Sequence, residues 1–134
     1  MATVIDEMGT RLATAISGTL GTNVFQSMMP ATPNVCAVVY ETGGMPGIEV
    51  LGTAGITFEQ PGVQLVFRGN VQDYESARTP AQTAFNNLKT IQSEDLSGTR
   101  YDLATMAQQP FSLGPDEQGR PRVAFNMILQ KEVS

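Results

Sequence analysis

The chain of 134 residues contains no histidine, no tryptophan and a single cysteine. Without histidine, neither a Ser-His-Asp nor a Cys-His nucleophilic system can be assembled, and the commonest general base is missing. One cysteine without histidine does not make a standard zinc site, and it leaves no partner for an intrachain disulfide. Cys36 lies in the apolar run Val35-Cys36-Ala37-Val38-Val39 and reads as a small buried hydrophobe. A reducing compartment fits that usage. Neither a phosphate loop of the G-x-x-x-x-G-K type nor a G-x-G-x-x-G turn after a strand occurs. These absences point away from an enzyme and from a bound cofactor or metal.

Charge is scarce as well. Asp, Glu, Lys and Arg make up 16% of the chain, against roughly 25–35% for a surface that stays in water alone. No charged residue occurs from Leu12 to Tyr40, and from Leu12 to Phe58 only Glu41 and Glu49 are charged. Interface cores are depleted of charge, so buried contacts between subunits are preferred here to a monomer that merely has few surface charges. The net charge of −5 and pI near 4.5 argue against a protein that binds nucleic acid by neutralising phosphates. No segment approaches the roughly 18 apolar residues of a membrane helix. The N-terminus lacks the basic start and apolar stretch of a signal peptide, so the expected place of synthesis and residence is the cytoplasm.

What is present fits one compact domain, residues 1–134, with enough chain for a single core. Ile5, Met8, Leu12 and Ile16 share one helical face, and the helix is expected over Thr3–Ser17, with Asp6 and Glu7 favoured in its first turn. Asn23–Met29 is a short extended piece before Pro30. Asn34–Tyr40 is apolar and β-branched and suits a central strand. Glu41–Gly47 contains Gly43-Gly44 and Pro46-Gly47 and is expected as a loop. Ile48–Phe58 stays open between a glycine-interrupted hairpin arm and a long loop. In Gly62–Gly69, Val63, Leu65 and Phe67 alternate with Gln64, Val66 and Arg68.

A second helix is expected over Asp73–Ser93, carried by Ala77, Ala81, Ala84, Leu88 and Ile91, with Pro80 marking a kink or the true first turn. Glu94–Gly98 is a turn, Arg100–Gln109 a strand, and Leu113–Arg120 a polar turn. Arg122–Lys131 alternates again, with Val123, Phe125, Met127 and Leu129 on its apolar face. The fold class is therefore α+β: a mainly antiparallel sheet with two helices packed on one face.

Three carboxylate pairs remain as possible chemistry, Asp6-Glu7, Glu94-Asp95 and Asp116-Glu117. Glycoside hydrolysis needs two carboxyls facing each other across a substrate, whereas neighbours in a turn or helix start cap and solvate. That second reading is preferred for all three. Met28-Met29 beside Phe25 stands equally as an adaptable contact patch or as core.

Four segments, in order, carry a resemblance: Gly21-Thr22-Asn23-Val24-Phe25 with Pro30; Val38-Val39-Tyr40-Glu41-Thr42-Gly43-Gly44; Gln60-Pro61-Gly62-Val63-Gln64-Leu65-Val66-Phe67-Arg68-Gly69; and Pro110 through Arg120 with Phe125-Asn126 beyond. Together they resemble the minor capsid and tail-terminator families of long-tailed bacteriophages across nearly the whole chain. Pro115 before Asp116 and the glycine-rich stretch Ile48–Gly55 depart from that pattern. The resemblance implies a tail-terminator-like fold and a structural virion protein of the tail or neck, without catalysis or cofactor. It further implies a sixfold ring that caps the tail tube, stops its elongation and joins it to the head.

The implied partners are copies of itself, the tail tube protein and the head connector or head-closure protein. DNA passes through the bore without specific binding. Another neck or tube subunit, such as a head-closure or minor capsid protein, is the close alternative, and a small ligand-binding domain the distant one. Residues 1–67 hold one basic and five acidic residues, and residues 68–134 seven and eight. A head-to-tail ring contact is expected to set the charge-poor half against the charged half. Glu41, Gly43, Gly44 and Pro61 are expected to shape loops at that contact. Arg68 is expected to pair with a carboxylate, and Asp116, Glu117 and Arg120 to form a charged turn at an interface or the bore.

Overall fold

A computed structural model describes residues 3–48 and 58–132. Helix α1 spans Val4–Ala15, because Thr3 and Asp6 form a reciprocal capping box at its start. Strands β1 (Val24–Gln26) and β2 (Cys36–Glu41) follow, then β3 (Met45–Ile48), β4 (Phe58–Gln60) and β5 (Gly62–Arg68). Helix α2 covers Glu75–Leu88, and β6 (Gln92–Leu96), β7 (Thr99–Met106), β8 (Phe111–Ser112) and β9 (Arg122–Glu132) complete the described chain.

The spine of the sheet is β9, eleven residues long. Along one edge it pairs antiparallel with β5 and, further on, with β4. Along the other it pairs antiparallel with β7 and β8. Pro61 separates β4 from β5 without breaking the run, since its carbonyl accepts the Leu129 amide at 2.9 Å. Beyond β5 lies β2 and then β1, the one parallel neighbour. Beyond β4 lies β3, and beyond β7 lies β6. The sheet is therefore mainly antiparallel, as expected.

Alternation decides what is buried. Ala37 and Val39, Val63, Leu65 and Phe67, and Val123, Phe125, Met127 and Leu129 all face one hydrophobic cluster. Ile5, Met8 and Leu12 from α1, and Ala77, Ala81, Ala84 and Leu88 from α2, fill the same cluster, so both helices pack on one face. Phe125 stacks on Phe67 with centroids 5.9 Å apart and meets Phe85 edge-on at 5.5 Å. The small alanine stripe lets α2 lie close on β5 and β9. Pro80 sits inside α2, and the helix continues through it.

Three expectations need correction. The Glu41–Gly47 loop is shorter, because β2 runs to Glu41 and β3 begins at Met45. An exposed strand next to β4 tolerates Pro46, which an interior strand would not. Helix α2 stops at Leu88, and Gln92–Leu96, read as helix end and turn, is a strand paired with β7. Its turn is only Ser97-Gly98, both at positive φ, the backbone that a two-residue hairpin requires. Ile91 is buried as the helical period demanded, but from the segment that enters β6. The Leu113–Arg120 segment is irregular and turned, as expected, and the short strand β8 just before it, which the sequence reading leaves unassigned, pairs with β9. Of the open stretch Ile48–Phe58, the two ends face each other as a β3–β4 pair, Ile48 opposite Phe58. Residues 49–57 lie outside the described residues.

Candidate functional site

The eight residues singled out in the sequence fall into two groups, at opposite ends of the β2–β5 pair. Glu41 stands opposite Val63 and Cys36 opposite Arg68, so five residue steps, about 17 Å, separate the ends.

At the first end, Glu41, Gly43 and Pro61 line an open cleft of about 350 Å³ together with Met45, Glu59 and Lys131. Gly43 and Gly44 turn the chain from β2 into β3 with φ of 86° and 72°, a region that costs glycine nothing. Gly44 has a second reason to be glycine. A Cβ there would stand 2.1 Å from the Gln60 carbonyl oxygen and 2.5 Å from the Gly62 amide nitrogen. The turn is thus pressed against the Gln60-Pro61-Gly62 junction, and Thr42 donates its amide to the Gly62 carbonyl. Lys131 and Glu59 form a long ion pair across the cleft at 3.8 Å. Glu41 is exposed and makes no ion pair among the described residues.

At the second end, two buried arginines hold the segment between β1 and β2. The Arg68 Nε donates to the Asn34 carbonyl at 3.0 Å and its terminal nitrogen to the Pro33 carbonyl at 2.6 Å. The expected carboxylate partner is replaced within the chain by these two carbonyls. A guanidinium spreads its donors in a plane, so a single buried side chain satisfies two loop carbonyls at once. Arg120 reaches the same loop from the other side, donating to the Ala31 carbonyl at 2.6 Å and the Asn34 side-chain oxygen at 3.3 Å. Its Nε is paired with Asp116 at 2.8 Å.

Asp116 also accepts the Gln118 and Arg120 amides, both at 2.9 Å. Desolvation works to raise the Asp116 pKa, but the Arg120 and Gln118 amides and the Arg120 guanidinium outweigh it and hold the carboxyl below its ordinary value. Glu117 is exposed and outside this network. Asp116 and Arg120 thus build a loop clamp, while Glu117 remains open to solvent. Cys36 lies beneath the clamp, its thiol 3.2 Å from the Met29 sulfur. Burial pushes that thiol up, against the pull of Arg68 and Arg120. Of the methionine pair, Met29 is packed, while Met28 is 69% exposed beside Leu20 and Phe25.

The sequence reading missed a polar seam on α1. Glu7 is buried and accepts the Tyr101 hydroxyl at 2.7 Å, so it is not the solvated first-turn acid expected. Burial, and then the Glu7 hydrogen bond, push the Tyr101 hydroxyl far above its ordinary range. One turn on, Arg11 pairs with Glu94 at 2.7 Å and bonds the Asn87 side chain. Glu7 and Arg11 are four apart, the spacing of one helix face. That spacing was the only signal available, and it marks an exposed pair as readily as a buried seam.

Among the described residues no group of three acidic or sulfur ligands can hold a metal, and no helix is long and apolar enough to cross a membrane. The fold and these two sites define a small α+β domain in which the arginines and carboxylates serve to shape loops. Over residues 11–133 the sequence matches the family described as bacteriophage tail terminator protein. The chain belongs to that family, and it is a structural protein of the phage tail. One solved structure superposes with a TM-score of 0.58 at 10% identity, covering 96% of this chain and 89% of the other. At that identity the likeness concerns the fold alone. No protein curated for function matches the chain in sequence.

Proposed function

We propose that this chain is the subunit of a ring that caps the finished tail tube, stops its elongation and presents a joining surface to the head. The observation that carries the reading is the family match over residues 11–133. In this reading residues 1–134 form one domain, and about six copies close head-to-tail. Its partners are neighbouring copies, the tail tube protein and the head connector or head-closure protein. The protein resides in the virion tail or neck, and in the host cytoplasm before assembly.

The charge-free run Leu12–Tyr40 supports buried subunit contacts, because it supplies exposed residues such as Leu20 and Met28 rather than core alone. A charge of −5 per copy supports a bore that DNA crosses without sticking. Glu41, Gly43, Gly44 and Pro61 are assigned to a subunit contact, and Glu117 to the interface or the bore beside the Asp116–Arg120 clamp. Deleting the gene from its phage is the test: overlong or headless tails are expected, and normal infectious virions would overturn the proposal.

A further inference from the structure

The buried Glu7 carboxyl is only half satisfied. One oxygen accepts the Tyr101 hydroxyl at 2.7 Å, while the other is shut off from water and has no donor among the described residues. A buried polar oxygen without a donor is costly and rare. Replacing both partners of a buried hydrogen bond by apolar groups of the same shape is often nearly neutral. Core stability therefore does not account for Glu7, and its neighbours on α1 point to what does.

The apolar stripe of α1 leaves the position of the helix along the sheet undecided. Met8, Leu12 and Ile16 follow one another at four-residue steps, so a slide by one turn, about 6 Å, exchanges one apolar side chain for the next. Residues 16–23, which lead from α1 to β1 and contain Gly18 and Gly21, are long enough to follow it. The polar face is less tolerant. A slide one way brings Arg11 to the place of Glu7, a guanidinium buried under the Tyr101 hydroxyl, and leaves Ala15 opposite Glu94. A slide the other way sets Glu7 where Arg11 now pairs with Glu94 at 2.7 Å, carboxylate against carboxylate, and leaves Thr3 under Tyr101. Gly9 adds to the discrimination. A Cβ there would stand 2.7 Å from the Gln26 Nε2, which donates to the Ile5 carbonyl at 3.2 Å, and the two slides put Ala13 or Ile5 at that point.

We infer that Glu7, Gly9 and Arg11 form a register lock that admits one position of α1 on the sheet, the use to which buried polar groups are best known to be put. That position matters beyond the helix. Through residues 16–23 it sets the turn in which Leu20 bridges Val24, and with it the exposed Leu20 and Met28 beside β1, the end strand of the sheet. The lock does not depend on the ring reading, because it acts within one chain.

Two variants of the full chain test the lock by NMR, with a thermal melt of each to show that it is folded. Tyr101→Phe combined with Glu94→Arg takes away the donor to Glu7 and offers its carboxylate a cation only after a one-turn slide. Helix α1 is expected to move, so that the ring at position 101 gives cross-peaks to Thr3 instead of Glu7. Glu7→Leu combined with Arg11→Leu and Tyr101→Phe makes the face apolar throughout. Its amide resonances over residues 16–28 are expected to double, as α1 takes up more than one position. Either variant, folded, with a single set of resonances and the parent's α1 contacts would overturn the lock. So would the failure of both to fold, because the seam would then be holding α1 on the sheet and not choosing its position.

Discussion

Asp116 shows how a residue that looks like solvent decoration carries structure. It accepts two backbone amides and one guanidinium nitrogen, and through Arg120 it fixes Ala31 and Asn34. Its carboxyl is held below the ordinary value of 3.8. The sign follows directly. The charged form is favoured in the folded state, so the stabilisation is complete above 3.8 and is lost as the pH falls through the lower folded value. Asp116→Asn should lower the urea midpoint at neutral pH, and the two proteins should converge in acid. Midpoints that run parallel down to the acid limit would refute the clamp. The Asp-x-x-x-Arg spacing of this turn was legible in the sequence, but its target was not. Nothing local indicates that Arg120 reaches back 89 residues to Ala31. The same limit hid Glu7, whose partner Tyr101 is 94 residues away.

Among the elements, legibility followed burial. β5 and β9 were read with their inward residues correct, because a sheet with one packed face imposes a period of two on the sequence. α1 was read through its Ile5-Met8-Leu12 stripe, while its second, polar face passed for solvent. The edges were read poorly. β3 and β6 are short and largely exposed, and no core selects their side chains, so glycine, proline and charge dominate and suggest loops. Gly43 and Gly44 separate two effects within one turn. Both need positive φ, but a Cβ on Gly43 meets nothing within 4 Å, whereas one on Gly44 runs into backbone. Gly43→Ala should cost about 1–2 kcal/mol for the left-handed backbone alone. Gly44→Ala should cost more, about 1–3 kcal/mol for strain alone and a displaced β2–β3 turn besides. Denaturant unfolding of the two variants checks the order, and equal losses would mean that the turn is not pressed on β4 and β5.

At the scale of the whole molecule the charges are unevenly spent. The four ion pairs of the described residues all use a partner from residues 94–132, which leaves the surface contributed by Leu12–Tyr40 to apolar and neutral polar groups. A ring closed mainly by such groups should respond weakly to salt. Screening reaches exposed charges and spares buried pairs, and salts of the sulfate type strengthen apolar burial. Purified rings are therefore expected to persist in about 1 M salt, where the Debye length is about 3 Å. Sedimentation at low and high salt measures this, and dissociation at high salt would mean that exposed ion pairs hold the ring.

β9 comes last of the eleven elements along the described chain, yet β4, β5, β7 and β8 all pair with it. The ribosome therefore delivers the centre of the sheet after nearly everything that rests on it. Until then, among the described residues, β5 has only β2 as a strand partner and β8 has none. A nascent or prematurely ended chain presents no finished surface to a growing tail. In the proposed ring, where one defective copy would spoil a closed circle, the order of synthesis would act as an inspection step: only a chain translated through β9 acquires the sheet that a neighbouring copy would meet.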